Sequence, residues 1–347
     1  MIFDFSQNIN IESLSPKNNF EEKVISFLRE WYSDAKTVSV QTSGSTGTPK
    51  IFEIEKEKMR QSAKMTCDFL GLKQGDTALL CLPVEYISGK MMLVRAIERK
   101  LKIFVEEPSS QPSILKEVSF CAMTPLQVQH SLDSIHLIKN LIIGGAAVSE
   151  NLKRHFDRLS VTEQKHRVFE TYGMSETLSH IALKQISPNQ EEYFTILEGV
   201  EISLDERGCL RISAPQLNPE ILQTNDLVEL KNEKQFKFLG RYDNVINSGG
   251  VKIFAEELEN SVKSKLGDAI HDLVFLGRAD DSLGEKLVLV IELPTIKADE
   301  FQQNLKSKIS HLKFENRFHI PKEVLFLDKF PRAENGKVLR KEILKFI

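Results

Sequence analysis

The chain has 347 residues, 41% of them hydrophobic and 27% charged, with 46 basic residues against 49 acidic ones. That length supports about two domains with real cores, and it excludes a disordered tail, a small disulfide- or metal-stapled scaffold and a fibre. A net charge of −3 offers no basic platform for a nucleic-acid duplex.

The opening Met1-Ile-Phe-Asp-Phe5 lacks the basic stretch and long apolar run of a signal peptide. No segment approaches the roughly 20 apolar residues that span a bilayer. Cys67, Cys81, Cys121 and Cys209 are scattered without metal-ligand spacing, which reads as reduced thiols. These features predict a soluble, cytoplasmic protein with no membrane or nucleic-acid partner.

In chain order, Phe20 to Trp31 has the apolar spacing of a helix, and Thr37 to Val40 is a short β-branched strand. A Gly/Ser/Thr loop separates it from a second strand, Ile51 to Ile54. A helix over Glu55 to Leu70 stops at Gly71. Then a rhythm sets in. Apolar runs at Thr77–Leu82, Lys102–Val105, Val118–Ala122 and Leu141–Ile143 alternate with helices at Ile87–Lys100, from Pro125 and from Ser149. Alternation of that kind predicts βαβ units and a mainly parallel sheet. From Phe194 to Phe238 short strands with turns predict a small β subdomain. A polar stretch at Gly240–Asn244 precedes a new block. It contains a helix over Ala255–Leu266, strands at Asp272–Leu276 and Leu287–Ile291, a helix after Lys297 and a polar loop, Pro331–Lys337. The expected fold is α/β. A large domain over 1–240, with mainly parallel layered sheets and the β subdomain, precedes a small, mobile α+β domain over 241–347.

Five segments carry chemistry. The first is Gln41-Thr-Ser-Gly-Ser-Thr-Gly-Thr-Pro-Lys50. Small residues let backbone N–H groups turn toward an anion, hydroxyls add donors and the lysine adds a point charge, so its cargo should be a phosphate chain. It is not a Walker A loop, because Lys50 leads into a strand rather than a helix. The second is Glu170-Thr-Tyr-Gly-Met-Ser-Glu-Thr177, after a strand at Val168-Phe169. Ligands bind at such strand ends, and Glu176 suits a Mg²⁺ shared with phosphate oxygens. Read alone, Glu176 is equally a dipole partner at a helix start. The third is Gly144-Gly-Ala-Ala147, either a surface for a flat ring or a tight strand-to-helix turn. The fourth runs from Gly240 to Glu259 and includes Ser248-Gly249-Gly250. The fifth is Pro331 to Lys337, with Val338-Leu-Arg340 behind it.

These five segments in this order resemble the adenylate-forming superfamily of acyl-CoA synthetases, luciferases and adenylation domains, from about Val38 onward. Leu82 to Arg95 and Tyr172 to Ala182 are most similar to the o-succinylbenzoate–CoA ligases of menaquinone biosynthesis. The resemblance implies an ATP- and Mg²⁺-dependent ligase that adenylates a carboxylic acid and passes the acyl group to coenzyme A. Under it, Thr42, Ser43, Gly44, Ser45, Thr46, Gly47 and Lys50 cradle the β- and γ-phosphates. Gly144, Gly145 and Ala146 line one adenine face and Tyr172 the other. Glu170 stands where many members have an Asn that bonds the adenine amino group. Glu176 coordinates Mg²⁺ with Thr46 nearby, and Asp226 and Arg241 hold the ribose hydroxyls. Lys337 is the catalytic lysine that bridges carboxylate and α-phosphate. Asp243 is the hinge, and Gly249 and Gly250 leave room for the pantetheine arm. Lys90, Arg95 and His180 are candidates for the carboxylate that does not react. Tyr86 replaces a frequent His before Ile-Ser-Gly.

The phosphate loop begins as early as Gln41, which implies an N-terminally shortened member whose missing layer is open or covered by a partner subunit, as in a homodimer. Two alternatives stay open: another acid or a carrier-protein thiol, and a non-catalytic nucleotide-binding regulator.

Overall fold

The computed structural model describes residues 1–41, 51–159, 166–266, 270, 272–293, 299–314, 316–332 and 338–347. Thr42, Ser43, Gly44, Ser45, Thr46, Gly47, Lys50 and Lys337 therefore lie outside the described residues.

The chain opens with a strand that the sequence did not announce, β1 (Ile2–Asp4), too short for a periodicity signal. Helix α1 (Asn19–Tyr32) follows. Asn18 caps it, its side chain accepting from Glu21 N at 2.8 Å, and Phe20, Val24, Phe27, Leu28 and Trp31 form its buried stripe. Strands β2 (Thr37–Gln41) and β3 (Ile51–Glu55) pair with each other as a separate ribbon. Helix α2 (Lys56–Leu70) ends on Gly71, whose φ of +68° is the left-handed cap that favours glycine.

Next come β4 (Thr77–Leu80), α3 (Ile87–Arg99), β5 (Lys102–Val105), β6 (Val118–Met123), α4 (Pro125–His130), β7 (Ile138–Ile143), α5 (Glu150–Leu159) and β8 (Arg167–Gly173). Then β9 (His180–Ser187), β10 (Phe194–Ile196), β11 (Glu201–Leu204), β12 (Cys209–Ala214), β13 (Asn218–Asn232) and β14 (Gln235–Arg241) follow with no helix longer than one turn between them. Among the described residues, β1 and β4–β14 form one twelve-stranded sheet in the order β1-β5-β4-β6-β7-β8-β9-β10-β14-β13-β12-β11.

The parallel part of this sheet is confined to β5, β4, β6, β7 and β8. From β8 onward every pairing is antiparallel. The strands of the expected β subdomain thus continue the main sheet. For strands that follow one another in the chain the cause is connection length: parallel neighbours need a crossover of a dozen or more residues, while the short β8–β9, β9–β10, β11–β12, β12–β13 and β13–β14 links permit only antiparallel return. The parallel strands are buried on both faces. Ala78, Leu80, Phe120, Ala122 and Ile142 join one core, and their chain neighbours Leu79, Cys81, Cys121, Met123, Leu141 and Ile143 join the other. All four cysteines are buried and free, with the Cys81 and Cys121 sulfurs 3.8 Å apart.

A turn at Tyr242–Asn244 leads into a second sheet. It is built from β15 (Val245–Ser248), β16 (Val251–Phe254), β17 (Asp272–Asp280), β18 (Gly284–Glu292) and β19 (Glu323–Leu327), in the order β16-β15-β18-β17 with β19 parallel to β18. Helices α6 (Ala255–Leu266), α7 (Asp299–Ser310) and α8 (Arg340–Ile343) complete it. Leu273, Phe275, Leu289 and Ile291 pack on the α6 and α7 side, while Val274, Leu276, Val288 and Val290 pack against Phe330 and Ile343. No described helix is long and apolar enough to cross a membrane.

One close approach fixes the start of α3. A Cβ placed on Gly89 would sit 2.2 Å from the Pro83 carbonyl oxygen, which is backbone and has nowhere to go. Gly89→Ala should therefore cost about 1–3 kcal/mol of stability, as overpacking does. Urea unfolding checks it, and an unchanged midpoint would contradict the tight contact.

Candidate active site at the C-terminal edge of the parallel strands

The chain runs from β4 out to β5 and returns across β4 to β6, so the direction of winding reverses between β4 and β6. Ligand crevices of open α/β sheets lie outside the strand C-termini at such a reversal. The C-terminal edge there carries Cys81–Tyr86, Thr124 and Gly144–Ala147. Thr124 and Gln127 form a capping box at the head of α4, and the Gln127 amide also donates to Cys81 O and Ser109 O at 2.9 Å each. Gln41 bridges Tyr86 and its N–H donates to Glu85 O at 3.1 Å. The end of β2 at Gln41 therefore lies beside this edge.

The parallel register pairs Ile143 with Glu170. This puts Gly144–Ala147 beside Glu170–Tyr172. A Cβ on Gly144 would meet Thr171 Oγ1 at 2.7 Å, and Gly145 has φ +86°. Both glycines answer local demands of the turn, and residues 145–147 are exposed beyond it. The motif at Glu170–Gly173, expected after the strand, lies inside β8 and pairs with β9.

The Glu170 carboxylate is buried and already engaged. It accepts from Val148 N at 3.1 Å and pairs with Lys184 Nζ at 2.9 Å, with Lys153 Nζ at 3.9 Å. Neither lysine is visible as a site residue in the sequence; Lys184 is simply the cross-strand partner of Glu170 on β9. The Tyr172 ring packs against Phe236, centroids 4.9 Å apart, and its hydroxyl donates to Asp226 Oδ2 at 2.6 Å. Burial and the neighbouring Asp226 carboxylate push the phenol far above its ordinary value, so it stays protonated. Arg241 Nε lies 3.2 Å from Asp226 Oδ1, an ion-pair distance without hydrogen-bond alignment, which leaves that buried oxygen able to accept. Residues far apart in sequence thus form one string, Tyr172–Asp226–Arg241.

Glu176 sits on a one-turn helix between β8 and β9, exposed, with no partner for its carboxylate among the described residues. A free, exposed carboxylate at this edge fits a hard cation that keeps most of its water. Asp243 accepts from Asn225 at 3.2 Å, and Arg207, bonded to the Asn225 side chain at 2.9 Å, stacks 5.1 Å from the Tyr242 ring. These contacts tie the turn at Tyr242–Asn244 to the large sheet. Gly249 and Gly250, with φ of +58° and +79°, are the two central residues of the hairpin joining β15 and β16, since Ser248 pairs with Val251. Two positive φ values in a two-residue hairpin turn by themselves favour glycine.

The three acid-pocket candidates separate. Lys90 faces α1: its Nζ is 4.8 Å from the Phe27 ring centroid and 3.9 Å from Glu30, and burial lowers its pKa. Arg95, five residues on and so on another face of α3, meets α2 and the start of β9. It is buried, donates to Ser179 Oγ at 3.1 Å, leaves Nε unpartnered and pairs with no carboxylate among the described residues. Burial lowers its pKa to about 10, so it remains a cation at neutral pH. His180 lies with it. Thr66 Oγ1 gives its proton to Ser62 O, so the 3.0 Å contact between Thr66 and His180 has Nε2–H donating. Burial first and the Arg95 charge second push His180 well below its ordinary value, so it is neutral.

That shift has a sign. Below pH about 6.5 the unfolded chain binds a proton at His180 that the folded chain refuses, so stability is full above that pH and declines below it, by up to about 1.4 kcal/mol per pH unit from this group. His180→Gln should flatten the decline in urea unfolding between about pH 7 and 5. An identical pH slope in both proteins would show that the folded imidazole titrates normally.

A family profile described as AMP-binding enzyme matches residues 34–204. The 2-succinylbenzoate–CoA ligase of Listeria monocytogenes is 23% identical over 97% of this chain and 79% of its own length. That of Bacillus subtilis is 24% identical over 97% and 74%. Among solved structures, an AMP-forming acyl-CoA synthetase/AMP-acid ligase II-like protein from Dyadobacter fermentans is 31% identical, with a TM-score of 0.66 over 100% of this chain and 99% of that one. The Bacillus subtilis o-succinylbenzoate–CoA synthetase holding its acyl-adenylate has the same fold, at a TM-score of 0.70 and 22% identity over 89% and 69%. With the motif order, the sheet and a full-length relative above 30% identity in agreement, the chain belongs to the AMP-binding, adenylate-forming ligase family.

Proposed function

We propose that this chain is an acid–CoA ligase that forms an acyl-adenylate from o-succinylbenzoate and ATP, releases pyrophosphate, and passes the acyl group to the thiol of coenzyme A with release of AMP. The observation that carries the substrate class is Arg95, a buried cation with an unpartnered Nε and no carboxylate beside it among the described residues. Burying an unpaired charge is costly, and an acid with a second carboxylate would supply the missing anion. The curated relatives named 2-succinylbenzoate–CoA ligase support the same acid.

In this reading the turn Gly144, Gly145, Ala146 lies along one face of the adenine, and Tyr172, braced by Phe236, along the other. Asp226 would accept from the ribose hydroxyls through Oδ1, which receives no hydrogen bond but has the Arg241 guanidinium beside it. Glu170, held by Lys184 and Lys153, is an acceptor for the 6-amino group. Glu176 would hold Mg²⁺, which supplies charge neutralisation on the phosphates. The loop from Thr42 to Lys50 would receive the phosphate chain. Lys337 would sit between the attacking carboxylate and the α-phosphate, offsetting their repulsion where charge crowds most. The block after Arg241 would turn about Asp243 to exchange Lys337 for the Gly249–Gly250 hairpin during thioester formation. A cytoplasmic location and a homodimer belong to the same reading.

The first test is pyrophosphate release across a panel of carboxylic acids, with and without coenzyme A. Release is expected with o-succinylbenzoate, and silence with every acid would leave a nucleotide-binding protein without ligase activity. Lys337→Ala should cut adenylation by about 100-fold or more; near-normal ATP–pyrophosphate exchange would overturn that role. Arg95→Met should raise the KM for o-succinylbenzoate by about 10- to 100-fold, the worth of a charge-assisted contact. The same variant should not lose stability, because it removes an unpaired buried charge. An unchanged KM would place the acid elsewhere.

A further inference from the structure

A cavity of about 320 Å³ opens at the other edge of the large sheet, where the parallel strands begin. The end of α2 and the turn after it form one wall, with Phe69, Lys73 and Asp76. The first two residues of β6, β7 and β8 form the other, with Ser119, Lys139 and Arg167. None of these residues belongs to the site at the C-terminal edge.

Arg167 is the most firmly held polar group of the cavity. Its Nε and NH2 donate to Asn140 Oδ1 at 2.9 and 2.6 Å, and NH2 also donates to Leu70 O at 2.6 Å. Asn140 is buried and is itself fixed, its amide donating to Ser119 O at 2.9 Å. The Phe169 ring centroid lies 5.6 Å from the guanidinium carbon. All of these partners are neutral. They orient the guanidinium without cancelling its charge, and NH1 keeps no hydrogen-bond partner among the described residues. Burial lowers the Arg167 pKa, with no carboxylate nearby to oppose it.

Lys73 and Lys139 are exposed, and neither meets a described carboxylate within ion-pair distance. Asp76 is the acidic group of the lining, and its Oδ2 already accepts from Lys73 N at 2.8 Å. Three cations against one carboxylate leave the cavity with a charge of about +2, which matches a dianion. A guanidinium at a helix C-terminus is also a dipole partner, and α2 ends at Leu70. That role occupies NH2 and calls for neither lysine.

We propose that this cavity binds a small phosphate monoester, with Arg167, Lys73 and Lys139 receiving the phosphate. A phosphate monoester places close to two charges and three acceptor oxygens on one group. Arginine as a planar fork and lysine as a point charge are the side chains that suit it. The volume exceeds what a phosphate fills and falls at the lower end of small-molecule sites, roughly 300–1,000 Å³. It leaves space for a small organic body against Phe69.

The test is calorimetric titration of the full chain at low ionic strength, where such contacts are least screened. The probes are ribose 5-phosphate, inorganic phosphate and succinate, each to about 10 mM. Ribose 5-phosphate should bind, and the double variant Lys73→Gln with Lys139→Gln should weaken that binding about 10-fold or more, the scale of charge-assisted contacts. Both side chains are exposed, so the variant keeps its fold. Arg167→Lys, which cannot form the Asn140 fork, should weaken it as well. No binding of ribose 5-phosphate, or equal binding in wild type and double variant, overturns the site. Inorganic phosphate binding as tightly as the ester overturns the role of the organic body and leaves free phosphate as the occupant. Succinate binding as tightly overturns the phosphate class.

Discussion

Ile143 pairs with Glu170 in the parallel register of β7 on β8, and the site is assembled outward from that pairing. It sets the Gly144 turn against Thr171 so closely that a methyl group would collide. It brings Val148 N onto the Glu170 carboxylate. Because β8 is also where the sheet changes from parallel to antiparallel, the same strand carries Lys184 to Glu170 and the phenylalanines of β10 and β14 to Tyr172. A one-residue slip of β8 would turn Glu170 and Tyr172 to the opposite face of the sheet. The register is held by the double burial of the parallel strands, in which alternate side chains fill two separate cores.

Electrostatics divides the site into two kinds of charge. Glu170 and Asp226 have cationic neighbours within the protein, so their geometry exists before any ligand arrives. Arg95 and Glu176 have none among the described residues. Arg95 is buried and remains charged with a pKa of about 10; Glu176 is exposed and costs little to keep free. Under the proposed function the first pair organises, and the second pair would receive an anion and a cation respectively. Stability given up in this way, at an unpaired buried guanidinium, is what a binding position looks like and what a structural position avoids.

The second sheet repeats the logic on a smaller scale. Its strands are again buried on both faces, by α6 and α7 on one side and by Phe330 and Ile343 on the other. The last segment is therefore part of the core rather than a trailing end. The hairpin glycines at 249 and 250 answer a local demand: the two-residue turn between β15 and β16 holds both at positive φ.

By itself the sequence determined the elements whose signals are local. Apolar spacing marked α1 and α2, continuous apolar runs marked β4 to β7, and Gly71 marked a helix end, because caps and periodicity act within a few residues. Residue order also carried the family, since each motif is a short string. It could not determine that the strands after Phe194 extend the main sheet, because neighbours in a sheet are chosen by connection length and by pairing across distant segments. Nor could it tell Arg95 from Lys90. Both are cations on α3, and only the packing of α1 on one side and of α2 with β9 on the other gives Lys90 an aromatic face and acidic neighbours while leaving Arg95 unpaired. Arg332 and Arg340 read as ordinary charges of a polar tail until β17, β18 and α6 bring Asp272, Glu292 and Glu259 beneath them.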